Sequence, residues 1–391
     1  VGVSRIFVRG VGAVSPAGWG ARPLLDALRA NTPLPVQELA APSGRRFPVR
    51  LVPPHTTRPA WLAHPRLRRA SSISHFALAA ALEALDPWPG EAPGTLRLGI
   101  VTGTFAASMR YSERFFGEVL QNPATASPLL FPETVINAPA SHVAAFLGCS
   151  GLCYSLIADQ TAFVQALLVG CDWLLEGRVD ACLVLGMDEA AWPVAEALGQ
   201  FSHRAVLSEG AGAVLLAREP DDGPVVELER VTDAHLHARA ATKLPAAQAM
   251  RRQLPAARPA VAQTAQSAVS QVANLRSADA SSRGADLAIG DTAGWATCAT
   301  PGHLLVDSCC GAARLDHAEA QAWADWQGAR LSPRCVLGEA LSAATAWQCV
   351  AAHAALSEGT ASAANISVVG GNLQAIGARL VRREVAVAGT R

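Results

Sequence analysis

Nine cysteines, at 149, 153, 171, 182, 298, 309, 310, 335 and 349, are the residues that invite a chemical reading first. A cysteine attacks only as its thiolate, so a nucleophile needs a cation or base beside it. The neighbours Cys309 and Cys310 are the obvious candidates, but the cysteines as a group read as small core residues in apolar stretches. An odd count scattered in this way is not a disulfide framework. Cys149 and Cys153 are spaced as C-x3-C with no second pair of ligands near them, and His235-x-His237 has no evident third ligand. A closed zinc site needs four such groups, so no metal is expected. Glu209-Gly-Ala-Gly lacks the third glycine of a dinucleotide loop and runs into a strand, so no nucleotide cofactor is expected either. Asp159 and Gln160 stand just ahead of an apolar helical stretch. Asp159 reads as a helix N-cap more readily than as a base, and Gln160 as an amide that needs hydrogen-bond partners.

These residues are positioned by alternating strands and helices. Strands are expected at residues 6–14, 96–103, 153–158 and 181–186, all apolar nearly throughout, with helices at 21–30, 74–86 and 161–175. Continuous apolar strands separated by helices point to a parallel or mixed sheet covered on both faces. After Arg218 the polar run Glu-Pro-Asp-Asp-Gly-Pro makes a connector, and the theme repeats. In the second half strands are expected at 225–231, 286–289, 304–307 and 366–369, and helices at 260–275, 316–327 and 337–356. The Pro/Arg-rich stretches 33–65 and 244–259 read as surface crossings. Two α/β halves, 1–218 and 219–391, are therefore expected.

The chain has 391 residues, half of them hydrophobic and 16% charged, which excludes a disordered chain. Its 32 basic and 32 acidic residues cancel, which argues against nucleic acid as the main partner. No apolar run reaches the roughly 18–20 residues of a membrane span, and the first ten residues read as a strand rather than a signal peptide, so a cytoplasmic location is expected.

Four segments, in order, resemble the β-ketoacyl-acyl carrier protein synthases of the thiolase-like superfamily. They are Val8-Arg-Gly-Val-Gly-Ala-Val-Ser-Pro-Ala-Gly; Asn137-Ala-Pro-Ala-Ser-His142 leading through Gly151 to a strand and helix; Ser208-Glu-Gly-Ala-Gly-Ala-Val-Leu-Leu; and Leu315-Asp-His-Ala-Glu-Ala-Gln-Ala with Arg334-Cys-Val-Leu-Gly-Glu-Ala, ending near Val369-Gly-Gly-Asn372. The resemblance implies an α/β fold, a duplicated five-layer αβαβα sandwich that is usually dimeric. It also implies a catalytic set: a cysteine at a buried helix N-terminus, where the helix dipole favours the thiolate, two histidines that stabilise an enolate, and a supporting lysine.

Carried over residue by residue, every position of that set is altered. The cysteine position falls on Gln160, the first histidine on Ser308, the second histidine on Glu339 and the lysine on Arg334. For the first histidine the strand Asp286–Asp291 is an alternative register, and it supplies no histidine either. The family's Gly-Phe-Gly-Gly loop reads Val368-Val-Gly-Gly, without its Phe. Gln for Cys with both histidines lost is similar to the chain length factor, the ketosynthase β subunit of type II polyketide synthases. That resemblance implies a non-catalytic subunit paired with an active ketosynthase. Its interface tunnel would limit the length of an acyl chain carried on the phosphopantetheine of an acyl carrier protein. Met109, Ser112 and Phe116, at i, i+3 and i+7 of the expected interface helix, would face that chain, with Phe116 as the plug. The bland reading makes Met109 and Phe116 ordinary core residues. Two other functions stay open: a malonyl-carrier decarboxylase of the Gln-for-Cys kind, and a homodimeric scaffold for carrier protein. The clusters Arg66, Arg68, Arg69 and Arg251, Arg252 could meet an acidic carrier protein or simply be solvated.

Overall fold

The computed structural model describes residues 5–86, 97–202, 204–220, 224–255, 302–371 and 373–384. The expected helix 260–275 and strand 286–289, with the alternative register at Asp286–Asp291 and the Val369-Gly-Gly-Asn372 terminus at Asn372, lie outside these residues.

Ten strands make the main path of the sheet, and two two-residue strands, Gly18–Trp19 and His235–Leu236, pair off it. The first five are β1 (Phe7–Ser15), β2 (Leu98–Thr104), β3 (Cys153–Ile157), β4 (Ala181–Asp188) and β5 (Gly210–Ala217). The next five are β6 (Pro224–Val231), β7 (Gly302–Val306), β8 (Ala329–Leu331), β9 (Ala361–Val369) and β10 (Gln374–Glu384). In space the first set runs β1-β5-β4-β2-β3 and the second β6-β10-β9-β7-β8. The senses match as well. In each half the first two pairings are antiparallel and the last two parallel. This is one α/β plan used twice, and the halves meet where β1 pairs antiparallel with β6 at Phe7 and Val8.

Five layers follow from which helix covers which face. Helix α1 (Ser72–Leu85) lies on the outer face of β1, β5 and β4. Helix α2 (Met109–Gln121) follows β2. Helix α3 (Ala138–Leu147) packs beside α1. Helix α4 (Ala162–Leu175) and, later in the chain, α7 (Leu341–Ser357) touch strands of both halves and form the middle layer. Helices α5 (Ala240–Arg252) and α6 (Ala313–Ala322) cover the outer face of the second half. The middle layer explains the composition of α7. A helix between two sheets has no solvent face, so Ala343, Ala346, Val350 and Ala351 are as buried as Trp347.

Close approach of helix to strand accounts for the opening glycines. A Cβ on Gly10 would lie 2.0 Å from the Ala84 carbonyl oxygen and one on Gly12 2.1 Å from that of Ala80. The Gly-x-Gly of β1 therefore lets α1 sit directly on the strand.

Six expectations are corrected. Residues 33–65 are not only a surface crossing: Gln37–Ala40 and Arg46–Arg50 pair antiparallel in a small separate sheet and bury Phe47 and Val49. Residues 244–259 do not begin as a surface crossing: they enter α5, with Pro245 inside the helix. Burial of Ala246, Ala247 and Met250 against Val369 and Ala375 outweighs the lost backbone bond. The single helix expected at 337–356 is two, Pro333–Leu337 and α7, broken where Gly338 and Leu341 take φ of 93° and 50°. The helix expected at 316–327 is α6, which ends at Ala322. Strand β9 is not the last; β10 follows it, its arginine-rich sequence hidden from hydropathy because Arg379 is held by Glu229 and Asn365. Strand β3 is apolar but only partly covered. It closes one end of the sheet, and its Tyr154 and Ile157 are exposed. Among the described residues no helix is long and apolar enough to cross a membrane.

Candidate functional site

The site is made where two helices start side by side on one row of glycines. Pairing in β2, β4 and β5 puts Gly103, Gly186 and Gly212 next to one another. A Cβ on Gly103 would lie 2.8 Å from the carbonyl carbon of Ala162 and from Ser342 Oγ. One on Gly186 would lie 2.5 Å from the Ser342 oxygen, and one on Gly212 2.6 Å from the Ala346 Cβ. Any side chain in this row would push the first turns of α4 and α7 off the sheet. With the row bare, the residues ahead of both helices, Gln160 and Glu339, converge.

Gln160 is held at both ends. Its Nε2 donates to Glu339 Oε2 at 3.4 Å, its Oε1 accepts from the Gly371 amide at 3.0 Å, and its carbonyl accepts from Thr345 Oγ1 at 2.6 Å. Glu339 is fixed by its backbone, which bonds Val206 and Ser208 across a bridge to Leu207. Its side chain accepts from the Leu341 amide at 2.7 Å and from Arg334 at 3.0 Å. The side chains of Arg334 and Glu339 are only 1% and 3% exposed, a fully desolvated ion pair. Arg334 also donates to Thr345 Oγ1 and Gln348 Oε1, while its Nε has no partner among the described residues. Glu339 therefore does not open α7, as the sequence reading had it, but sits in the break before it.

Ser308 belongs to a neighbouring network. Its amide donates to Glu319 Oε1 at 3.1 Å and its hydroxyl donates to Glu319 Oε2, while its Oγ accepts from the Val369 amide at 3.1 Å. Ser367 also donates to Glu319, and accepts from Trp323 Nε1 at 2.9 Å. Burial first, and then the nearby Asp307, push the Glu319 carboxyl up to about 7. The turn after β9 ties the networks together, since Val369 bonds Ser308 and Gly371 bonds Gln160. Gln160, Ser308, Arg334 and Glu339 thus lie in one region, and all four are engaged by the protein's own groups.

Asp159 accepts from the amide and hydroxyl of Thr161, one residue before α4 begins; Thr161, not Asp159, is the N-cap. Burial pushes the thiols of Cys309 and Cys310 up, and that of Cys335 to about 12, so near neutral pH these cysteines stay protonated. His235 is bonded to Gln253 Nε2, while His237 is buried separately. Among the described residues no three His, Cys, Asp or Glu groups stand where a metal ion could be held. The sequence reading missed Lys243, which reaches in from α5 toward Glu319, Asp159 and Asp316; burial holds its amine below the usual lysine range. A signal was present, because it is the only lysine of the chain.

Met109, Ser112 and Phe116 all lie on α2, but not as a core stripe. Met109 packs against a cluster with Val194 and Ala195, and Ser112 donates to the Ser108 carbonyl at 3.2 Å. Phe116 is 61% exposed and its neighbour Leu120 72% exposed. The helix is anchored through Arg110, which donates to Glu209 Oε2 at 2.6 Å and to the Ala190 carbonyl at 2.9 Å. Phe105, Leu129, Phe131, Val135 and Ile136 are exposed near it. Separately, the free edge of β3 leaves Tyr154 and Ile157 exposed.

No protein-family model and no curated sequence matches the chain. Solved structures do. The ishigamide ketosynthase/chain length factor superposes with a TM-score of 0.70 at 19% identity, over 96% of this chain and 99% of that one. A β-ketoacyl synthase from Burkholderia phymatum gives 0.69 at 17% identity, over 98% and 100%. A ketosynthase in complex with its chain length factor from Xenorhabdus doucetiae gives 0.69 at 14%, over 97% and 98%. The chain has the thiolase-like fold shared by β-ketoacyl synthases and the chain length factors found in complex with them.

Proposed function

We propose that this chain is a non-catalytic subunit of the chain-length-factor kind, which pairs with an active β-ketoacyl synthase and shapes the tunnel for a growing acyl chain on its carrier protein. The observation that carries the reading is Gln160. It stands where a condensing enzyme of this fold needs its nucleophile, and its amide is clamped between Gly371 and Glu339. Glu339 adds a carboxylate where an enolate would need a cation or a donor, which disfavours the decarboxylase alternative. The exposed apolar residues of α2 and the open edge of β3 each support association with another protein. On this reading Phe116 faces the partner or the tunnel between the subunits, and residues 1–218 and 219–391 are the two halves of a duplicated subunit.

Co-expression with the ketosynthase encoded beside it, followed by size-exclusion chromatography with mass determination, tests the reading. A one-to-one complex that condenses malonyl units, while the isolated chain does not, is the expected result. Condensation by the isolated chain, or a homodimer that ignores the ketosynthase, would overturn it. Release of CO2 from malonyl carrier protein by the isolated chain would favour the decarboxylase instead.

A further inference from the structure

Lys243 is the only lysine among 32 basic residues, and it stands in the first turn of α5. Its amine faces the carboxylates of Glu319, Asp159 and Asp316. Each of these is already engaged elsewhere. Glu319 accepts from Ser308 and Ser367, Asp159 from Thr161, and Asp316 from the Cys310 amide at 3.0 Å. Among the described residues the Lys243 amine makes no hydrogen bond and no ion pair. It is thus surrounded by negative charge without being locked in a bridge.

A cavity of about 500 Å³ opens beside it, lined by Leu236, His237, Ala238, Arg239, Thr242 and Leu373. Leu236 and Leu373 are both exposed and give it an apolar wall. His237 differs. It is only 5% exposed, its amide donates to the Leu373 carbonyl at 3.0 Å, and its Nε2 has no hydrogen-bond partner among the described residues. A buried ring nitrogen left in this state is costly unless something entering the cavity meets it. The His237 ring also feels the Lys243 charge and faces the Gly370 carbonyl. Gly370 in turn joins it to the carboxylates, since a Cβ there would lie 2.3 Å from Asp159 Oδ2. One free amine, one unpartnered imidazole and an apolar cavity therefore come together where three carboxylates converge.

We propose that Lys243 captures an aldehyde or ketone with an apolar chain as a protonated imine, with His237 carrying the protons and Leu236 and Leu373 receiving the chain. The amine nitrogen attacks the carbonyl carbon, and the proton it sheds passes through His237 Nε2 to the oxygen. A second proton, from solvent by the same route, releases that oxygen as water and leaves a positively charged N=C bond. The surrounding charge decides between an imine and an amide. Acylation would erase the one cation that faces three carboxylates, whereas the iminium keeps it there. Burial holds the Lys243 amine below the usual lysine range. Burial first, and then the Lys243 charge, hold His237 below the usual histidine value. Both effects raise the share of each nitrogen with a free lone pair near neutral pH.

Capture needs no partner subunit, so its test is separate from that of the subunit reading. The whole chain is treated at pH 7 with hexanal and cyanoborohydride, which reduces an imine in place, and the adduct is read by intact mass and peptide mapping. The expected result is one adduct, at Lys243, formed about tenfold or more faster in the folded chain than in the chain unfolded by guanidinium chloride. Hexanal should outpace glycolaldehyde, which has no apolar chain, and Lys243→Arg should lose the adduct. His237→Asn should slow capture about tenfold or more at an unchanged melting temperature. Equal rates in the folded and unfolded chain would overturn the site, as would an adduct that persists in Lys243→Arg or one confined to the α-amino group. Glycolaldehyde reacting as fast as hexanal would overturn the assigned chain. Capture by His237→Asn at the wild-type rate would overturn the proton relay. Should that variant not fold, the pH profile of the wild-type rate decides: two titrating groups uphold the relay, and one overturns it.

Discussion

Gln160 donates to Glu339, Arg334 to Glu339 and Thr345, and Thr345 back to the Gln160 carbonyl, a closed circuit that leaves only the Arg334 Nε over, and this has measurable consequences. Restoring a thiol by Gln160→Cys places it beside the Glu339 carboxylate, which disfavours the thiolate. The variant is expected to react with iodoacetamide only slowly at neutral pH and to gain no condensing activity; rapid labelling at pH 7 would contradict this. Removing Glu339 leaves a buried guanidinium without its counter-charge. Glu339→Ala is expected to cost about 3–5 kcal/mol in urea denaturation, and the apolar pair Arg334→Met/Glu339→Leu to recover most of it. A double variant as unstable as the single one would show that the pair is more than self-neutralising. Lys243, as the only lysine, gives a one-site probe: after reductive 13C-methylation its side-chain signal should titrate below the usual lysine range.

At the scale of elements, position is set by backbone contact. The bare row Gly103, Gly186 and Gly212 fixes where α4 and α7 begin, so Gly186→Val is expected to destabilise by about 2–3 kcal/mol or more, measured by thermal or urea unfolding. The helix and strand ends also store carboxylates in the dry interior. Asp188, which accepts from the Ser342, Phe105 and Ala106 amides, is pushed up to about 7 by burial, as is Glu319. Both folded-state values lie above those of an unfolded chain, so the folded protein binds more protons over this interval. Stability is then fullest below about pH 4 to 4.5 as far as these groups decide it, and is lost as pH rises toward 7. Melting temperatures between about pH 5 and 8 should fall, and Glu319→Gln, which cannot ionise, should flatten the slope; a slope unchanged by that variant would assign the effect elsewhere.

For the whole molecule the informative feature is where covering stops. Two half-sheets share a middle helical layer, yet β3 ends its sheet with Ile157 57% exposed, and α2 leaves Phe116 and Leu120 exposed. Ile157→Lys puts a charge on the open sheet edge without touching the core. It is expected to abolish association with the ketosynthase in size-exclusion chromatography while leaving the monomer folded. Phe116→Ala should leave the complex intact and lengthen the acyl product, read by mass spectrometry; unchanged product length would remove Phe116 from the tunnel.

Much of this protein is legible in order along the chain. Apolar strands at regular intervals, helical spacing between them and glycine pairs in β1 and β5 are local signals, since each reflects what one segment must bury or approach. What Gln160 itself can do is equally local, because an amide cannot do a thiolate's chemistry wherever it sits. What the amide touches is not local: its partners Gly371 and Glu339 lie 211 and 179 residues away and meet it only because two helices start on one bare patch of sheet. The same holds for β3 and β10, whose apolar and arginine-rich sequences mislead about burial. Hydropathy records a side chain's preference, whereas the end of a sheet or a cross-strand partner such as Glu229 decides whether it is met. Four arginines without a carboxylate partner follow that rule too. Sequence determines that no carboxylate is near Arg58, Arg66, Arg68 and Arg69 along the chain, and only tertiary structure, which among the described residues brings none to them through space, leaves them exposed.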